Sequence, residues 1–420
     1  MLELLHAPVA VAVLLMLAGC GAAWPARAAK DADTQDFDKV ERGRYLTVVA
    51  DCAACHTDPG TRVPFAGGRP IETPFGKVVA ANITPDRETG IGNWTDAQFE
   101  AAVRGGRSPE GTRLYPAMPF PYYTRMSRED VLAIRAYLNT VPPAHHSVHS
   151  NQLPFPFNIR AGMGLWDALY FDPGEFKANS AKSAQWNRGA YLVQGPGHCP
   201  ACHTPKTKLG GDESKEALQG YSLQGWFAPN LTGDPATGLG HWSDADVVDY
   251  LRSGHNRVAG ASGPMAEEIA NSSSKMSDAD LQAIAAYLKD QPGQSSAGTP
   301  LKATDPAMLA GAAIYRDLCS ACHAPDGKGV DYLIPNLAAS TAVASREPTS
   351  VLQVLIRGAQ TVATEREPTA PAMPSFARQL DDAQVAAVAT YIRNTWGHAA
   401  SATTVTEVHK ARDTLLARGS

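Results

Sequence analysis

Across 420 residues the chain is 44% hydrophobic and 19% charged, the balance of a folded protein and not of a disordered one. A formal charge of −5 leaves no cationic excess to neutralise phosphates, which argues against a nucleic-acid role. The length suggests about three domains, and 36 glycines with 31 prolines suit helices joined by long loops. The chain opens on an uncharged stretch from Ala7 to Gly19, too short to span a bilayer and fitted to the apolar part of an export signal over residues 1–28. Two cleavage readings stand side by side. Leu17-Ala18-Gly19-Cys20 is a lipobox pattern in which Cys20 becomes an acylated first residue, and Ala26-Arg27-Ala28 is an ordinary signal-peptidase site.

Three repeated units follow. The first, residues 37–140, opens on Glu41-Arg42-Gly43-Arg44-Tyr45-Leu46, passes through Cys52-Ala-Ala-Cys55-His56, and continues with Asn82-Ile83-Thr84 and Gly90-Ile91-Gly92-Asn93-Trp94. A helix is predicted from the Thr95-Asp96 cap to Arg104-Gly105, and another from Ser127 to Leu138. Residues 141–183 form a linker whose piece Asn158 to Phe171 reads as a short aromatic-rich helix, packed between domains or facing a partner protein or the membrane. The second unit, 184–290, repeats the order: Asn187-Arg188-Gly189-Ala190-Tyr191-Leu192, Cys199-Pro-Ala-Cys202-His203, Asn230-Leu231-Thr232, Gly238-Leu239-Gly240-His241-Trp242, then helices from Ser243 and Ser277. A Gly/Ser/Pro-rich linker covers 291–304. The third unit, 305–397, is a weaker copy with Ala310-Gly311-Ala312-Ala313-Ile314-Tyr315, Cys319-Ser-Ala-Cys322-His323, Pro335-Asn336-Leu337 and a last helix from Asp381-Asp382 to Ile392. Residues 398–420 read as a polar tail, in which Val405 to Ala417 has the pattern of an amphipathic helix that would lie against lipid.

Apart from Cys20, every cysteine belongs to one of three C-x-x-C-H motifs. This is the attachment site of c-type haem. Two thiols about one helical turn apart add to the porphyrin vinyl groups, and the adjacent histidine becomes the proximal iron ligand. Zinc would need two C-x-x-C pairs close enough to share a metal, whereas these lie more than a hundred residues apart. A thioredoxin-like redox pair does not require the following histidine, and disulfides are the remaining alternative for an exported chain. The expectation is three covalent haems c, held by Cys52, Cys55 and His56, by Cys199, Cys202 and His203, and by Cys319, Cys322 and His323. Helix, haem motif, methionine loop and C-terminal helix, three times over, resemble an all-α architecture of three tandem class I cytochrome c domains.

A methionine opposite the histidine raises a haem potential. Met118 and Met265 each lie 62 residues after their proximal histidines, and Met373 lies 50 after His323. Pro-Ala-Met-Pro surrounds both Met118 and Met373. The iron ligand pairs are therefore expected to be His56 with Met118, His203 with Met265, and His323 with Met373. Met126 and Met276 align with Leu380, just before a helix cap, and are expected in the core. His145, His146 and His149 read as a solvated cluster, and His198 as a neighbour of the haem edge. His255 is a rival iron ligand without a counterpart in unit one. Trp94 and Trp242 read as pocket or core residues. Arg104, Arg252 and Arg357 suit either haem propionates or helix C-termini.

The motifs Gly43-Arg44-Tyr45-Leu46, Pro74-Phe75-Gly76, Ala81-Asn82-Ile83-Thr84-Pro85-Asp86, Leu114-Tyr115-Pro116-Ala117-Met118-Pro119 and Gly263-Pro264-Met265-Ala266-Glu267 give the chain a specific resemblance from about Val40 to Trp396. It resembles the tri-haem cytochrome c subunit of bacterial membrane-bound dehydrogenases, of the flavin-dependent gluconate, 2-ketogluconate, sorbitol and fructose type or the quinoprotein alcohol type. The resemblance implies a non-catalytic electron-transfer subunit, exported to the periplasmic face of the cytoplasmic membrane. Such a subunit accepts electrons from a catalytic FAD or PQQ subunit acting on CH–OH donors, with a small helper subunit in the flavin type, and passes them to ubiquinone. With all irons six-coordinate, no catalytic residue is expected. The rival class is a catalytic multihaem cytochrome, peroxidase-like or thiosulfate-oxidising, which needs one haem with an open or labile position.

Overall fold

The structure is a computed structural model that describes residues 27–149, 151–294 and 298–417, with side chains from Phe37 onward. Residues 1–26, which hold Cys20 and most of the expected export signal, lie outside the described residues. In chain order, unit one comprises α1 (Arg27–Val49), α2 (Cys52–His56), β1 (Pro70–Thr73), β2 (Gly76–Val79), α3 (Asp96–Gly105), α4 (Phe120–Tyr123) and α5 (Arg128–Leu138). The linker carries α6 (Met163–Tyr170). Unit two comprises α7 (Ala184–Gln194), α8 (Pro200–His203), β3 (Tyr221–Leu223), β4 (Trp226–Ala228), α9 (Asp244–Ser253), α10 (Pro264–Asn271) and α11 (Asp278–Lys289). Unit three comprises α12 (Pro306–Leu318), α13 (Ser320–His323), α14 (Thr341–Ala344), α15 (Thr349–Arg357), β5 (Ala359–Gln360), β6 (Ala372–Met373), α16 (Asp382–Ile392) and α17 (Val405–Ala417). Among the described residues the fold is all-α apart from three two-stranded antiparallel ladders, β1–β2, β3–β4 and β5–β6.

The helix starts follow from their capping residues. Thr95, Ser243 and Asp381 each form a capping box, their side chains accepting from the backbone of the third helical residue while that residue's side chain reaches back. Ser127, Ser183 and Ser277 cap α5, α7 and α11 in the same way from one side.

In each unit the opening helix crosses the closing one: α1 on α5, α7 on α11, α12 on α16. Glycine sits at all three crossings. A Cβ on Gly43, Gly189 or Gly311 would fall far inside van der Waals contact with the carbonyl oxygen of Ala133, Ala283 or Ala387 respectively. The helices approach until backbone meets backbone, which only a residue without a side chain permits. We expect Gly189→Ala to force α7 from α11 and to lower stability by about 3 kcal/mol, measured as an earlier urea midpoint. An unchanged midpoint would show that the crossing has slack.

Three apolar cores sit beneath these crossings. Leu46, Phe99, Met126, Val131 and Ile134 belong to the first, Leu192, Trp242, Val247, Leu281 and Leu288 to the second, and Leu352, Ile356, Val385, Val388 and Ile392 to the third. Two expectations change here. The polar tail is not a tail, because Val408 and Leu415 of α17 are buried in the third core, and Arg412 clamps Asp382 and the carbonyls of Ala377 and Leu380. Two apolar side chains of α17 are thereby spent on its own unit, while Val405 and Leu416 remain exposed. The histidine cluster is not simply solvated either: His146 Nδ1 donates to the Ala66 carbonyl at 2.9 Å and pins the start of the linker to unit one.

Units one and two pair reciprocally. Tyr45 on α1 donates to Asp280 on α11 at 2.6 Å, while Tyr191 on α7 donates to Asp130 on α5. Within each unit the matching arginine closes the set. Arg42 reaches Asp130 at 2.7 Å, and Arg188 forks onto both oxygens of Asp280 at 2.8 Å. Against the cost of burial, Arg188 and Tyr45 hold the Asp280 carboxyl below the usual carboxylate range. Unit three has Ala310, Ala313 and Gln384 at the corresponding places and takes no part. It attaches instead to unit two through backbone bonds from Asn336 to Val258, Tyr332 to Asn256 and Val362 to Ala261. Unit two is therefore the middle of the molecule.

Candidate haem-binding sites

The three C-x-x-C-H motifs form the short helices α2, α8 and α13, each beginning near the end of its opening helix. Their thiols are free. Burial pushes Cys52 and Cys199 up to about 12 and Cys55 and Cys319 up to about 11, so they are neutral thiols and not metal-ready thiolates. Among the described residues no three His, Cys, Asp or Glu side chains converge as a metal-ligand cluster.

The proximal histidines share one arrangement. His56 Nδ1 donates to the Ala81 carbonyl at 2.7 Å, His203 Nδ1 to Pro229 at 2.7 Å, and His323 Nδ1 to Pro335 at 3.1 Å. A carbonyl only accepts, so the proton sits on Nδ1 and the Nε2 lone pair is left for a ligand. Burial lowers all three imidazoles, His203 to about 4, and keeps them neutral. This is the tautomer an iron ligand requires, and the residues present fit a c-type haem at each motif.

The accepting carbonyl is set by a repeated asparagine that the sequence shows but whose purpose only the geometry reveals. Asn82, Asn230 and Asn336 directly follow Ala81, Pro229 and Pro335. Their side-chain oxygens accept from the backbone of Thr84 at 2.9 Å, Thr232 at 2.8 Å and Ala339 at 3.1 Å, locking the turn that aims the carbonyl. The signal was an Asn-aliphatic pair following each motif.

The methionines lie in three settings. Met118 ends the turn before α4 and packs on the same core as Cys52. Met373 lies in β6, paired with Ala359, and shares a core with Cys319. Met265, near the start of α10, packs with Ala261, Ile269 and Val362, the last from unit three. Met126 is fully buried and Met276 nearly so.

Other residues singled out from the sequence resolve individually. Arg104 pairs with Glu100 and Glu175, Arg252 with Asp278 and Asp249, and Arg357 donates to the Leu415 carbonyl. Each therefore has a protein partner at its helix end. Trp242 is buried in the second core, whereas Trp94 lies half-buried against the first. His198 packs edge-on to Tyr123 of unit one at 5.5 Å. His255 is buried between units two and three, its Nε2 without a partner among the described residues.

The first two motifs face each other. Helix α10 packs on α2, and Ser272 Oγ at its end donates to the Val49 carbonyl at 3.3 Å. An acidic group missed at the sequence level occupies this junction. Burial, then the charges of Glu268 and Glu267, push Asp51 up to about 8. Burial pushes Glu268 up to about 7 against a Ser273 hydroxyl donating at 2.9 Å. Arg69 balances the group by forking onto Glu267 and bonding the Ala54 carbonyl.

No helix among the described residues is long and apolar enough to cross a membrane. Comparison with known proteins finds the family described as cytochrome c at residues 40–142, 187–292 and 308–396. The gluconate 2-dehydrogenase cytochrome c subunit of Pantoea cypripedii is 38% identical over 393 residues, covering 89% of each chain. The fructose dehydrogenase cytochrome subunit of Gluconobacter japonicus is 36% identical over 405 residues, covering 89% of this chain and 82% of its own. The cytochrome c subunit of a quinone-type alcohol dehydrogenase from Gluconacetobacter polyoxogenes is 36% identical over 405 residues, covering 91% of this chain and 86% of its own.

Proposed function

Since the chain belongs to the cytochrome c family, with covalently bound haem c, we propose that it is the electron-transfer subunit of a periplasmic, membrane-associated dehydrogenase acting on CH–OH donors. It carries three haems and relays electrons from a catalytic flavin or quinoprotein subunit to ubiquinone. The observation that carries this reading is the threefold repetition of a neutral, carbonyl-pinned histidine beside two free thiols. When bound, the haem supplies reversible one-electron exchange at iron. The protein's part is to attach it through Cys52 and Cys55, Cys199 and Cys202, and Cys319 and Cys322, and to present His56 with Met118, His203 with Met265 and His323 with Met373. With two protein ligands each, the irons would have no position for substrate, and bond chemistry would fall to the partner subunit. The three relatives, named as cytochrome subunits of gluconate, fructose and alcohol dehydrogenases, support that division of labour. A helper subunit accompanies the flavin-type partner, and acylated Cys20 supplies the membrane anchor.

The test is the reduced holoprotein with carbon monoxide, together with turnover in the absence of any partner. We expect three haem equivalents, no rapid stoichiometric carbon monoxide binding and no substrate oxidation by this chain alone. Rapid binding at one haem would favour a catalytic multihaem cytochrome instead.

A further inference from the structure

We propose that the surface of unit three around Cys322 is the docking face for the catalytic subunit, and hence the port through which electrons enter the chain. This rests on the electron-transfer reading above and adds to it the place of the partner. Electron exchange between proteins requires close approach of the redox groups, so the entry port must be a motif that a second protein can reach.

The three motifs differ in that respect. The reciprocal pairing of units one and two turns their motifs toward one another, and no residue of Cys52–His56 or Cys199–His203 is exposed. Helix α10 lies over α2, and the Arg69–Glu267 pair ties the two units beside it. At the third motif Ala321 and Cys322 are both exposed, as are Arg316, Asp317 and Leu318 leading into it. The same haem is expected at all three motifs, so the contrast is a property of the protein.

The methionine side repeats the contrast. Around Met118 the residues from Tyr115 to Pro119 are only partly exposed, and the linker runs beside them, with Tyr115 donating to the Phe157 carbonyl at 2.9 Å. Beside Met265, Val362 of unit three closes the approach. Beside Met373, Ala372, Pro374 and Ser375 are exposed. Both walls of the third haem crevice thus reach the surface.

The chemistry of this face fits a protein and not a bilayer. The turn after the motif is held to it by the Gly329 amide donating to the His323 carbonyl at 3.0 Å. It presents Val330 and Leu333, 50% and 44% exposed, on either side of Tyr332, whose hydroxyl donates to Asp249 of unit two, and Leu318 just before the motif is 42% exposed. The same segments expose charges of both signs, Asp326, Lys328 and Asp331 in the turn and Arg316 and Asp317 before the motif. An apolar centre with a mixed polar rim is the anatomy of a protein interface, whereas a lipid-facing surface is apolar or predominantly basic. Another exposed apolar group, Leu165 and Leu169 on α6, lies on the linker, which also exposes Phe155 and Ile159, and serves as the control.

The experiment compares Val330→Glu/Leu333→Glu with Leu165→Glu/Leu169→Glu, each expressed with the catalytic subunit in the intact complex. Readouts are haem content, reduction by dithionite, co-purification of the catalytic subunit, haem reduction by donor substrate, and binding to phosphatidylethanolamine/phosphatidylglycerol vesicles. For the unit-three pair we expect full haem content and full dithionite reduction, with at least tenfold loss of co-purification and of substrate-driven reduction. The α6 pair is expected to keep both. Substrate-driven reduction that survives the unit-three pair overturns the port while leaving the relay intact. Loss of vesicle binding with the complex still assembled overturns it in favour of a lipid-facing surface. Failure of substrate to reduce even the wild-type complex overturns the functional reading itself, and the port with it.

Discussion

Met118→Ala is expected to abolish the far-red sulfur-to-iron band of one haem and to lower that haem's potential, leaving the other two unchanged. The thioether stabilises the reduced iron relative to histidine alone, and Met118 packs on the core that also contacts Cys52. The control is Met126→Ala. Met126 is fully buried in the same core, so its truncation opens a cavity and costs about 3 kcal/mol of stability while all three bands remain. The two variants move different observables: redox spectroscopy reads the first and chemical denaturation the second. If Met126→Ala erased the band and Met118→Ala did not, the ligand assignment in unit one would be reversed.

The second large effect is expected from Cys199→Ser combined with Cys202→Ser. Without its thiols the middle motif forms no thioether bonds, and covalently bound haem falls from three equivalents to two, as a pyridine haemochrome assay would show. Unit two touches both neighbours, unit one through the Tyr45–Asp280 and Tyr191–Asp130 contacts and unit three through Val258 and Ala261. Removing its haem therefore leaves a gap in the only contiguous path through the described units. Donor substrate should still reduce the haem nearest the partner, while quinone reduction should fall to background. Undiminished quinone reduction by such a two-haem protein would mean that the middle centre is bypassed.

Much of the site was legible in the sequence because its chemistry is local. Two thiols and an imidazole within five residues identify the cofactor without reference to the fold, and equal spacing to Met118 and Met265 follows from the repetition of a whole unit. The role of Asn82, Asn230 and Asn336 was visible only as a repeated pattern, since a side chain that orders a carbonyl for a distant histidine leaves no chemical mark of its own. The helix α17 was misread for a related reason. It carries just two buried apolar side chains, Val408 and Leu415, among mostly polar neighbours, so its composition resembled a tail until its neighbours α15 and α16 were in place.

The amino-acid order alone determined that there are three all-α units, each with its own C-x-x-C-H motif, because thioether attachment sites and helix caps are written within a few residues. Tertiary structure decided how the units are arranged. Tyr45 and Asp280 lie 235 positions apart, and nothing in their spacing tells whether a tyrosine will meet the aspartate of its own unit or of its neighbour. That outcome rests on the Tyr45–Asp280 and Tyr191–Asp130 contacts, whose counterparts unit three lacks, and it goes with an exposed Cys322 where Cys55 and Cys202 are only partly exposed.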